Sequence, residues 1–181
     1  MEILTMNKET FSFELVDKDK PEIVIKNSLR QIDEATRGYV KGNIEKYDGQ
    51  IRTYKKKLGF SIPTLQQEVT VDIQKDLGEQ NNEEYKYEVF LTVKGLEHYK
   101  YRMMFVNHGT LSYPVTIIMN DSLAIEYSGG QMKDIFWIES MKDLEDLMSR
   151  VINSDTMKSL IQKLINESLR QEMKNENVAI L

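Results

Sequence analysis

The feature that most constrains this chain is a change in the spacing of its apolar residues. From Val69 to Tyr127 apolar residues recur at every second position, and after Ser140 they recur at every third or fourth. The first spacing is typical of strands with one buried face, and the second is typical of amphipathic helices. Short turns separate the alternating runs, and strands joined by short turns pair antiparallel because parallel pairing needs long crossovers.

We therefore predict the α+β class, with an antiparallel β-meander sheet of about five to seven strands. The sheet is expected over residues 66–138, packed against a long helix from the N-terminal half of the chain and two C-terminal helices. The alternating positions are Val69, Val71 and Ile73; Tyr85 to Val93; Tyr99, Tyr101, Met103 and Phe105; Leu111 to Met119; Leu123, Ile125 and Tyr127; and a short last run, Ile135 to Ile138. The 181 residues fit a single domain.

The N-terminal residues predict a β-ribbon over residues 1–27, because Phe11, Phe13 and Leu15 alternate with polar residues. Ser28 and Gln31 have the spacing of a capping box, which favours a helix start at residue 28.

Apolar residues then follow at steps of three or four as far as Leu58, so we predict an amphipathic helix over residues 28–58, kinked near a glycine. Asp48-Gly49 is a strong hairpin signal, so two paired strands between Val40 and Lys55 are the alternative. The sequence leaves this choice open for residues 39–55.

The C-terminal part predicts two amphipathic helices within residues 140–174. Ser140 and Asp143 have the spacing of a helix N-cap, and Asn153-Ser154-Asp155 favours a break followed by a second start. Residues 175–181 are predicted to be a tail.

Composition favours a protein of the cytoplasm. The chain has no cysteine, which excludes disulfides and thiolate metal sites. Its first residues lack the pattern of a secretion signal, and no apolar run approaches the roughly 18 residues that cross a bilayer.

A basic segment between Arg37 and Lys57 contrasts with a net charge of -5 for the whole chain. Seven basic residues stand there against two acidic ones, and such a segment can form an interaction surface. The candidate residues are Arg37, Lys41, Lys46, Arg52, Lys55, Lys56 and Lys57.

Motifs for catalysis are weak, and we predict no catalytic, cofactor-binding or metal-ligating residue. The two histidines, His98 and His108, show no metal-ligand spacing. Asp72 followed by Glu84-x-Lys86 resembles the short Mg²⁺-binding pattern of restriction-type nucleases.

The functional hypothesis is a non-catalytic intracellular binding or regulatory protein that acts through protein–protein contacts, including self-association. One alternative is a carrier of a small apolar ligand in a cavity between helix and sheet. Another is a Mg²⁺-dependent nuclease-like enzyme, or a nucleic-acid-binding protein that uses the basic segment.

Overall fold

The computed structural model describes residues 14–51 and 83–178, which build one five-stranded antiparallel sheet and four helices. The order is α1 (Pro21–Ala35), β1 (Val40–Lys46), β2 (Tyr85–Val93), β3 (Leu96–His108), β4 (Val115–Met119), α2 (Asp121–Tyr127), β5 (Ile135–Ile138), α3 (Met141–Ile152) and α4 (Asp155–Val178). The predicted α+β class is confirmed, with five strands in the described ranges.

The strands lie in the sheet in the order in which they occur along the chain, and each neighbouring pair is antiparallel. β2 and β3 form a hairpin across Gly95, and β4 reaches β5 through α2. In this arrangement β1 and β5 are the edges of the described sheet. The predicted strand over Val69, Val71 and Ile73 lies outside the described residues.

α1 begins at Pro21, so the predicted β-ribbon over residues 1–27 and the predicted helix start at residue 28 are wrong for the described part. Proline has a φ preset for the first turn of a helix, and Lys20 before it is extended. The side chains of Val24, Ile25 and Leu29 lie on one face of this helix and are buried against the sheet. Phe11 and Phe13 lie outside the described residues.

α1 also ends earlier than predicted, at Ala35, because the next residues leave the helical conformation. Arg37 and Gly38 have φ values of 51° and 80°, in the left-handed region that a helix cannot continue through. The Thr36 side chain then accepts a hydrogen bond from the Val40 amide (3.1 Å) and donates one to the Val40 carbonyl (2.9 Å). These bonds fix the turn into β1.

Residues 40–46 are therefore a strand, not the middle of the predicted helix over residues 28–58. The structure pairs β1 with β2. The alternative prediction paired this strand with the residues after the Asp48-Gly49 turn, most of which lie outside the described ranges. Val40, Gly42 and Ile44 share the helix side of β1, and the glycine concealed their alternation. Residues 52–58 lie outside the described ranges.

Gly42 lets α1 approach the sheet closely. A Cβ atom at this position would lie 2.8 Å from the Leu29 Cβ atom and 2.7 Å from its Cδ2 atom, distances that real carbon atoms do not reach in a packed core. The helix therefore crosses β1 where the strand has no side chain.

Residues 121–127 form α2, so the predicted strand over Leu123, Ile125 and Tyr127 is wrong. The Asn120 side chain accepts a hydrogen bond from the Ser122 amide (3.1 Å) and caps the helix. Leu123 and Ala124 are buried. The cap at Asn120 thus starts a helix where we predicted a strand.

The two C-terminal helices are as predicted at their junctions. Ser140 accepts a hydrogen bond from the Asp143 amide (3.2 Å) and caps α3, and the chain breaks between Ile152 and Asp155. α4 continues to Val178, beyond the predicted end at residue 174. Residues 179–181 lie outside the described ranges.

Candidate binding face of the sheet

Alternation along the strands divides the sheet into a helix side and an opposite side, which we call the open face. The side chains on the helix side, such as Val89, Leu91, Val106 and Ile117, belong to one hydrophobic core with the buried faces of the helices. The open face carries the intervening residues: Lys41, Asn43 and Glu45 of β1; Lys86, Glu88, Phe90 and Thr92 of β2; Lys100, Arg102, Phe105 and Asn107 of β3; Thr116 and Ile118 of β4; and Ile135 and Trp137 of β5.

Strand register arranges these side chains in rows across the sheet. One row runs from Glu88 through Phe105 and Ile118 to Ile135, each being the pairing partner of the next. The next row runs from Lys86 through Asn107 and Thr116 to Trp137 in the same way. Each row passes from charged residues on β2 to apolar ones on β5.

The β5 end of these rows is an apolar surface formed by Phe105, Ile118, Ile135 and Trp137. Trp137 is 62% exposed and Ile135 is 41% exposed, while Phe105 and Ile118 are half-buried. Scattered apolar residues on a surface need no explanation, but neighbouring ones that include the only tryptophan of the chain do.

The β2 end of the open face is a charged cluster built around Glu88, whose side chain is only 8% exposed. The Arg102 guanidinium donates to Glu88 Oε2 through Nε (2.9 Å) and Nη2 (2.7 Å), and the Lys100 ammonium donates to Oε1. Burial alone would raise the pKa of Glu88, but these hydrogen bonds and the two positive charges outweigh it and lower the pKa. Glu88 is therefore held as a carboxylate.

Aromatic rings enclose this cluster. The Lys100 ammonium lies 3.8 Å from the centroid of the Phe90 ring, and the Arg102 guanidinium lies 4.9 Å from that of Phe105. Tyr47, just after β1, packs on Phe105 at 4.8 Å between ring centroids. Phe90 is thus 5% exposed although it lies outside the main core, so the cluster forms a second, smaller packed layer.

A β-bulge on β3 determines which residues reach the open face. Val89 pairs with Met104 and Phe90 pairs with Arg102, so Met103 is an extra residue between them. Met103 and Met104 both point into the core. We predicted Phe105 on the same face as Met103, but the bulge shifts the alternation and places it on the open face.

The predicted basic segment is described only in part. Arg37 lies in the turn after α1, exposed Lys41 lies on the open face, and exposed Lys46 lies on the helix side of β1. These three do not share one surface. Arg52, Lys55, Lys56 and Lys57 lie outside the described residues, so the larger surface stays a prediction.

The nuclease-like pattern is also described in part. The Lys86 ammonium pairs with the Glu84 carboxylate at 3.0 Å, and Asp72 lies outside the described residues. Within residues 14–51 and 83–178, no group of three acidic or histidine side chains is arranged to hold a metal ion.

Two surface depressions have charged residues in their linings. One of about 330 Å³ lies between α2 and the junction of α3 with α4. In it the Glu126 carboxylate accepts hydrogen bonds from the amides of Asp155 (2.8 Å) and Thr156 (2.9 Å), and hydrogen bonding to Thr156 and Asp155 lowers its pKa. Glu126 therefore caps α4.

The other depression, of about 690 Å³, is lined by Lys46, Asp48, Glu83, Glu84 and Lys86 with three tyrosines. Its lining combines charged side chains with tyrosine rings, so the carrier hypothesis stays a prediction. Among the described helices, none is long and apolar enough to cross a membrane.

Comparison with family models, with curated protein sequences and with solved structures returned no match. The fold and the open face therefore carry the functional argument alone. Sequence reasoning missed both the apolar surface at Trp137 and the cluster at Glu88. The available signal was Lys100 and Arg102, which alternate with tyrosines directly after the Gly95 turn.

Proposed function

We propose that this chain is a non-catalytic binding protein, and that the open face of its sheet contacts a partner protein. The observation that carries the proposal is the exposed Trp137 beside Ile135, and Ile135 is in register with half-buried Ile118 and Phe105. Tryptophan and arginine are enriched among the residues that contribute most to protein–protein binding. Interfaces of this kind combine an apolar part with neighbouring polar residues, and here the apolar residues at the β5 edge share one face of the sheet with the charged residues of β2 and β3.

Charge supports a partner with an acidic rim. The open face carries Lys41, Lys86, Lys100 and Arg102 against Glu45 and Glu88, whereas the whole chain has a net charge of -5. Even when Glu84, the partner of Lys86, is included, positive groups outnumber negative ones there. Complementary charge of this kind guides association and selects partners.

A protein partner fits this face better than a nucleic acid. Glu88 already holds the side chains of Lys100 and Arg102 through hydrogen bonds and balances one of their two positive charges, so these cations are less available to a phosphate backbone. Ile118 and Ile135 are aliphatic, so within the apolar surface only Trp137 and half-buried Phe105 offer a ring on which a base could stack.

The test uses the only tryptophan of the chain as a reporter. A protein recovered with the wild-type chain is purified and titrated against it, and the fluorescence of Trp137 is followed. We expect emission to shift to shorter wavelength as the indole leaves water. Trp137→Ser should weaken binding by at least about tenfold, or roughly 1.4 kcal/mol.

Met132→Ser is the matched control, because Met132 is exposed but lies outside the strands. It should bind like the wild type. A partner that binds Trp137→Ser with unchanged affinity would contradict the proposal. A shift produced by single-stranded RNA or DNA, and lost at high salt, would favour nucleic-acid binding instead.

A further inference from the structure

The outer side of β5 carries backbone groups that can pair with another strand. The Met119 amide donates to the Asp134 carbonyl oxygen at 2.8 Å, so the backbone groups of Asp134 point toward β4. This direction alternates along an antiparallel strand, so the N–H and C=O groups of Ile135 and Trp137 point away from β4. In the part of the chain that the structure describes, no strand lies beyond β5 to bond to them.

The other edge of the described sheet, β1, is partly closed. The Tyr47 amide donates to the Lys86 carbonyl oxygen at 2.9 Å, and by the same alternation the backbone groups of Val40 point outward. Both of these groups bond to the Thr36 hydroxyl, at 3.1 Å and 2.9 Å. Proteins usually protect sheet edges against pairing with another chain. No described side chain bonds in this way to the outward groups of β5, so β5 is the edge that a further strand can extend.

The residues along β5 are complementary to a second copy of the same strand. Opposed residues of antiparallel neighbours point to the same face of a sheet, and a two-fold axis through Phe136 sets Ile135 opposite Trp137 of the second copy. The same axis sets Lys133 opposite Glu139 of the second copy. Apolar residues then face apolar residues, and cations face anions, on both sides of the axis.

The four side chains that this arrangement brings together are exposed in the single chain. Trp137 is 62% exposed and Ile135 is 41% exposed, and Lys133 and Glu139 are exposed as well. The Lys133 ammonium lies 5.3 Å from the centroid of the Phe136 ring, which places it at this edge of the sheet. Neither Lys133 nor Glu139 forms an ion pair with another described residue.

Neighbouring registers lose this match. An axis through Trp137 sets Ile135 opposite Glu139, and an axis through Ile135 sets Trp137 opposite Lys133. Either shift places an apolar residue opposite a charged one and separates the oppositely charged pair. Charged residues beside a short edge strand usually prevent association, but here they match in one register.

We infer that two copies of this chain associate through β5, antiparallel and centred on Phe136, and that their sheets join into one. Ile135 exchanges two backbone hydrogen bonds with Trp137 of the second copy, and the two-fold axis repeats them. Ion pairs between Lys133 and Glu139 flank these bonds. The open faces of both copies lie on the same side of the joined sheet, so their apolar surfaces at β5 become continuous.

The first experiment is sedimentation velocity of the chain alone, from low to high micromolar concentration. A single pair of strands buries little surface, so we expect a reversible dimer. The average mass should rise from that of one chain to that of two and no further, because a two-fold interface is closed. A mass of one chain at every concentration, or growth beyond two chains, would overturn the inference.

Charge reversal tests the register. Lys133→Glu and Glu139→Lys each place like charges opposite one another at two symmetric positions. Each variant should raise the dissociation constant of the dimer by at least about tenfold. The double variant Lys133→Glu with Glu139→Lys restores opposite charges, so its dissociation constant should return to within about threefold of the wild-type value.

Lys163→Glu is the matched control, because it makes the same change of charge at an exposed residue of α4. It should dimerise like the wild type. Single variants that dimerise like the control, or a double variant as weak as the single ones, would overturn the inference. All these variants keep Ile135 and Trp137, so partner binding to the open face can be measured in them separately, and a failure of that proposal is distinguishable.

Amide hydrogen exchange tests the pairing without any variant. In dilute solution the chain is a monomer, and the outward amides of Ile135 and Trp137 should exchange fast. At concentrations at which sedimentation shows the dimer, both should exchange at least about tenfold more slowly, because they donate to the second copy. Unchanged exchange at these two amides in the dimer would show that another surface forms it.

Discussion

At the scale of the residue, Glu88 is the group whose environment is most specialised. Its carboxylate is buried on the open face and receives hydrogen bonds from both Lys100 and Arg102. Removing one cation should leave the carboxylate buried with part of its acceptor capacity unused. We expect Arg102→Ala to lower the free energy of unfolding by about 1–2 kcal/mol, since Lys100 remains. Urea unfolding at pH 7 measures this.

Lys142→Ala, a change at an exposed lysine on α3, provides the comparison for loss of a positive charge and should shift the unfolding midpoint little. Equal losses for the two variants would mean that the cluster at Glu88 contributes nothing of its own.

The same carboxylate predicts how acid affects the protein. The pKa of Glu88 is lowered in the folded state, so the stabilisation that it provides is present above the ordinary glutamate range and is lost as pH falls through the folded-state pKa. Glu88→Gln should therefore show a shallower loss of stability than the wild type below about pH 4. Thermal unfolding between pH 3 and pH 6 measures the difference, and parallel curves would contradict it.

At the scale of the element, the contact of α1 with β1 depends on Gly42. A methyl group there would meet the Leu29 Cβ atom, which cannot move without the helix. We expect Gly42→Ala to destabilise the fold by about 1–3 kcal/mol, the usual effect of overpacking. The double variant Gly42→Ala with Leu29→Ala should lose less than the sum of the single changes, because the contacts with Leu29 Cδ2 and Cγ, at 2.7 Å and 3.1 Å, are removed while the contact with Cβ remains.

Capping signals predicted one helix start correctly, at Ser140, and one wrongly, at Ser28. Ser140 with Asp143 marks the start of α3 within a few residues, so no distant contact was needed to find it. Pro21 was included in the predicted β-ribbon, because the alternation before it outweighed the preference of proline for a first helical turn. Gly42 has no side chain, so the alternation of apolar residues at positions 40, 42 and 44 was incomplete and did not indicate a strand.

The open face was beyond sequence reasoning for a different reason. Its rows depend on register between strands, and register depends on the bulge at Met103 and on the connection through α2. Neither has a signature in the residues themselves. Glu88 and Trp137 each look like ordinary strand residues until the pairing partners are known.

At the scale of the whole molecule, the sheet should be most stable at its centre. β2 and β3 pair on both sides and supply much of the core, whereas β5 has four residues at an edge. Amide hydrogen exchange should be slowest in β2 and β3 and faster in β5. Mass spectrometry of peptides after exchange measures this, and a β5 as protected as β3 would contradict it.

The additional residue in β3 determines how this strand would respond to a change in chain length. A substitution at Met103 changes the volume of one core side chain, whereas its deletion would join Arg102 directly to Met104 and leave a regular alternation. Phe105 would then stay on the open face, and Met104 and Val106 would stay in the core. Among natural or engineered variants of this chain, we therefore expect a deletion at Met103 to remove one core side chain without exchanging the two sides of the sheet.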